Sequence, residues 1–62
     1  MTDEATRTQH AAECRERAAR YEALAAEARE RGDMQVSIEF SGRAAQELIE
    51  ASRIEEVVRK LS

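Results

Sequence analysis

Along the first half of the chain, Ala11, Cys14, Ala18, Tyr21, Ala25 and Ala28 recur at alternating intervals of three and four. That spacing places side chains on one face of an α-helix and, when sustained, makes a heptad seam. Nearly every member of the stripe is small, and Leu24 and His10 lie on its shoulder. The second half carries two stripes. One holds Met34, Ile38, Ser41, Ala45, Leu48, Ile49 and Ser52. The other, rotated by roughly 130° at 100° per residue, holds Val36, Phe40, Ala44, Ala51, Ile54, Val58 and Leu61, with Val57 on its flank. No run of alternating β-branched residues between turn clusters suggests a strand.

The two halves meet at Arg31-Gly32-Asp33. Glycine suits the left-handed position just past a helix end. Arg29 and Arg31 put positive charge in the last turn, where the helix dipole favours it, and Asp33 is a good N-cap for the helix that follows. The pattern predicts an all-α fold, an antiparallel two-helix hairpin in one domain. Helix 1 covers about 3–31, the turn 31–33, and helix 2 about 34–61. Pairs such as Glu13–Arg17, Glu27–Arg31, Glu39–Arg43, Glu55–Arg59 and Glu56–Lys60 stand in the favourable i,i+4 order along both helices. Ser41-Gly42 is the weak point of helix 2, suited to a kink, a close helix contact or a break into a third helix.

Folding about Gly32 sets residue i near roughly 65 − i, so that large side chains of one helix meet small ones of the other. The intra-hairpin seam is therefore expected to join Ala11, Cys14, Ala18, Tyr21, Ala25 and Ala28 to Met34, Ile38, Ala45 and Leu48. One helical neighbour covers one stripe only. Val36, Phe40, Ala44, Ala51, Ile54, Val57, Val58 and Leu61 are then left as an oligomer or partner interface, with a homodimeric four-helix bundle as its simplest form.

Composition adds limits. At 62 residues a chain buries only about 60% of its unfolded surface and needs a staple or a partner. Its one cysteine excludes an internal disulfide and fits a reducing compartment; a cytoplasmic location is expected. No apolar run approaches the roughly 18 residues of a membrane span, and the polar N-terminus is unlike a signal peptide. Charged residues make up 37% of the chain, but their signs nearly cancel to −3.

Little in the sequence suggests chemistry. His10 and Cys14 share a helix face, but zinc needs about four ligands, so neither a metal nor a cofactor is expected. One histidine and one cysteine, with no glycine-rich phosphate loop, make no catalytic constellation, and an enzyme is not expected. Nine of the ten basic residues are arginine, but acids interleave them, whereas phosphate binding needs unneutralised positive charge.

The segment "ALAAEARERGDMQVSIEFSGRAAQEL", Ala23 to Leu48, resembles a tetratricopeptide repeat in its alanine-rich helix, its Gly-Asp corner and the Phe40 and Ala44 that follow. The resemblance implies a shared hairpin geometry. In size and lack of motifs the chain is also similar to small phage-encoded inhibitors of host proteins and to small secretion chaperones. The function expected is that of a non-enzymatic interaction module that binds and regulates, inhibits or sequesters a partner protein through an apolar helix face. The alternative is a small nucleic-acid-associated transcriptional regulator, whose binding would fall steeply with salt.

Overall fold

A computed structural model describes residues 3–61. Two α-helices, α1 (Asp3–Glu30) and α2 (Met34–Leu61), pack against each other as an antiparallel hairpin measuring 45 × 17 × 10 Å. α2 is continuous through Ser41-Gly42.

The corner is built by backbone hydrogen bonds. The Asp33 N–H donates to the Ala28 carbonyl at 2.8 Å, and the Gly32 N–H donates to Arg29 at 3.0 Å. This is the Schellman arrangement, which satisfies carbonyls left over at a helix end. It requires a left-handed residue, and Gly32 has φ +82°. Asp33 then caps α2: its Oδ1 accepts from the Val36 N–H at 3.3 Å, and its carbonyl accepts from Ser37 at 3.1 Å.

The seam is made almost wholly of small side chains. Ala11, Cys14, Ala18, Ala25 and Ala28 are buried on α1, and Ser37, Ala44 and Ala51 on α2. Ala11, Ala18 and Ala25 are spaced by seven residues, as are Ser37, Ala44 and Ala51. Cys14 meets Ala51 in the distal cluster, with Ala11 and a half-buried Ile54. Larger residues close the margins: Tyr21 stacks on Phe40, with ring centroids 6.1 Å apart.

The expected assignment of the two α2 stripes is thereby reversed. Met34, Ile38 and Ala45, expected in the seam, are exposed, and Leu48 is only half-buried. Ala44 and Ala51, expected at an outer interface, are buried in the hairpin. Phe40, Ile54, Val36 and Val58 are half-buried, Phe40 against Tyr21 and Ile54 against the Ala11–Cys14–Ala51 cluster, while Val57 and Leu61 are exposed.

The reason is steric. Small side chains at every seventh position on both helices let the backbones approach along their whole length, which maximises dispersion contacts. Methionine and isoleucine in the seam would prop the helices apart and leave voids between the alanines. The cap adds a local cause: it fixes the direction and rotation of α2, setting Ser37 toward α1 in the first turn.

The ion pairs also depart from expectation. Arg17 reaches across to Glu47 rather than along α1 to Glu13, with Nε donating at 3.0 Å and Nη2 at 3.3 Å. Arg15 reaches across to Glu55 at 2.8 and 2.6 Å. Glu55 is thus drawn away from Arg59, which pairs with Glu56 instead. The expected Glu56–Lys60 pair is present at 3.9 Å. A bidentate guanidinium–carboxylate pair is geometrically stronger than a single i,i+4 contact, which accounts for the exchange.

A candidate protein-binding face on the second helix

With its small stripe turned inward, α2 carries its bulky residues on the outside. Ile38 is 68% exposed, Met34 54% and Ile49 53%. At 100° per residue they share one face with Ser41, Ala45, Leu48 and Ser52, centred roughly 90° around the helix from the seam. From Met34 to Ser52 this face carries no charged residue. Its charge begins at Arg53 and Glu56. The distal part is an open groove lined by Leu48, Ile49, Ser52, Arg53, Glu56 and Val57.

Gly42 stands beside Ile38 and Ala45 on this surface. A glycine inside a helix costs about 1 kcal/mol relative to alanine. Here an added Cβ would meet nothing within 4 Å, so no contact inside the hairpin requires the small residue.

The core beneath is slight. Among the described residues Cys14 is the largest fully buried side chain, and Leu24, Met34, Ile38, Ile49, Val57 and Leu61 are exposed. Met34, Ile38 and Ile49 lie on one face of α2, and chains that act as monomers rarely leave a large contiguous apolar patch exposed.

The remaining polar groups have structural explanations. The Cys14 thiol is held above its ordinary pKa, first by burial and then by its hydrogen bond with Glu47, which disfavours the reactive thiolate. The Arg17 Nη2 also donates to Cys14 Sγ at 3.4 Å. Hydrogen bonds from Arg17 hold the Glu47 carboxylate below its ordinary pKa, and those from Arg15 do the same for Glu55. His10 lies in an exposed hollow with Ala5, Thr6, Gln9 and Glu13. Among the described residues no group of three or more His, Cys, Asp or Glu is placed to hold a metal ion, and no helix is long and apolar enough to cross a membrane.

The sequence-based reading missed Ser37 as a seam residue and Ile49 as a face residue. The available signal was the seven-residue spacing of Ser37, Ala44 and Ala51, which matches that of Ala11, Ala18 and Ala25. No family model, curated protein or solved structure matches the chain. The likeness of Ala23–Leu48 to a tetratricopeptide hairpin therefore rests on the corner and a few side chains.

Proposed function

We propose that the chain is a non-enzymatic protein–protein interaction module. Two hairpins pair through the outer face of α2 into a homodimer of four helices, and exchange of that self-pairing face for a partner protein lets the module regulate or sequester the partner. The observation that carries this reading is the exposed Met34–Ile38–Ile49 face on a hairpin whose largest fully buried side chain, among the described residues, is a cysteine. Burying a large apolar side chain contributes about 1.5–3 kcal/mol, so pairing this face supplies what the thin hairpin core lacks. A twofold dimer is the commonest closed assembly. A reducing compartment such as the cytoplasm suits the module, because Cys14 works in the seam as a thiol.

Light scattering with circular dichroism tests the reading. The wild type is expected to be dimeric and helical at tens of micromolar. Ile38→Glu, which would bury an unpaired charge on assembly, is expected to halve the mass. A wild type that remains a stable helical monomer at several hundred micromolar would refute the proposal.

A further inference from the structure

We draw no further inference here: the strongest candidate, the outer apolar face of α2 around Met34, Ile38 and Ile49, belongs to the interface already described, and nothing in the structure shows what covers it.

Discussion

Tyr21 and Phe40 stack across the two helices with ring planes 24° apart and centroids 6.1 Å apart. They are the only aromatic residues in the chain, and each is half-buried. The contact ties the margin of the hairpin on the corner side of its middle, where the alanine seam alone leaves room beside the backbones.

Phe40→Leu keeps an apolar side chain at the seam and removes the ring contact. A stability loss of about 0.5–1.5 kcal/mol is expected, the usual worth of an aromatic pair, with the oligomeric mass unchanged. Loss of mass with unaltered hairpin stability would move Phe40 to the outer interface, where the sequence pattern first suggested it belonged.

At Gly32 the cost of substitution lies in the backbone. A Cβ there meets nothing within 4 Å, but φ is +82°. Gly32→Ala should lower stability by about 1 kcal/mol, Gly32→Val by more, and Gly32→Asn by less. Thermal melts showing the three variants equal would mean that the left-handed corner is not needed.

Ala18 and Ala19 are adjacent in sequence and opposite in environment: Ala18 is 2% exposed and Ala19 lies on the solvent side. Ala18→Leu forces the helices apart and should cost about 1–3 kcal/mol. Ala19→Leu should leave the melting temperature within a few degrees of the wild type. Equal tolerance at both positions would contradict close packing of the seam.

Acid should weaken the hairpin. Glu47 and Glu55 have folded-state pKa values below their ordinary ones, because Arg17 and Arg15 donate to them. Groups depressed in this way contribute stability above the unfolded carboxylate pKa and lose it as pH falls through the folded value. Melting temperature should therefore decline below the ordinary carboxylate range, about pH 4.3. The Glu47→Gln, Glu55→Gln variant should be less stable than the wild type by a few degrees at pH 7 and show a flatter acid limb. Exposure limits the size of the effect, since the Glu55 side chain is 44% accessible and surface pairs are worth little. An acid limb as steep in the variant as in the wild type would assign the pH dependence to other carboxylates.

The hairpin was legible in the sequence because its signals are local. Gly32 and Asp33 announce a C-cap and an N-cap through their own backbone preferences, and the three–four spacing of alanines identifies α1's inner face. The rotation of α2 was not legible in the same way. Both of its stripes satisfy helical periodicity, and the bulkier one, with Met34 and Ile38, looks the better core by hydrophobicity. What decides between them is fit across the helix pair, small against small at Cys14 and Ala51, and that is a property of two segments together. The ion pairs follow the same rule: Arg17 has an acceptable partner one turn away at Glu13, and only the folded hairpin brings Glu47 within reach.

The antiparallel corner also imposes an order in time. Contacts between the helices join residues ever farther apart in sequence as their distance from Gly32 grows: 30 residues separate Arg17 from Glu47, and 40 separate Arg15 from Glu55. Loop-closure entropy rises with that separation. Each pairing nearer the corner shortens the loop that the next must close. The chain is thus built to close like a zip from Gly32 outward, and to open from the far ends of α1 and α2, leaving Tyr21 and Phe40 among the last partners to separate.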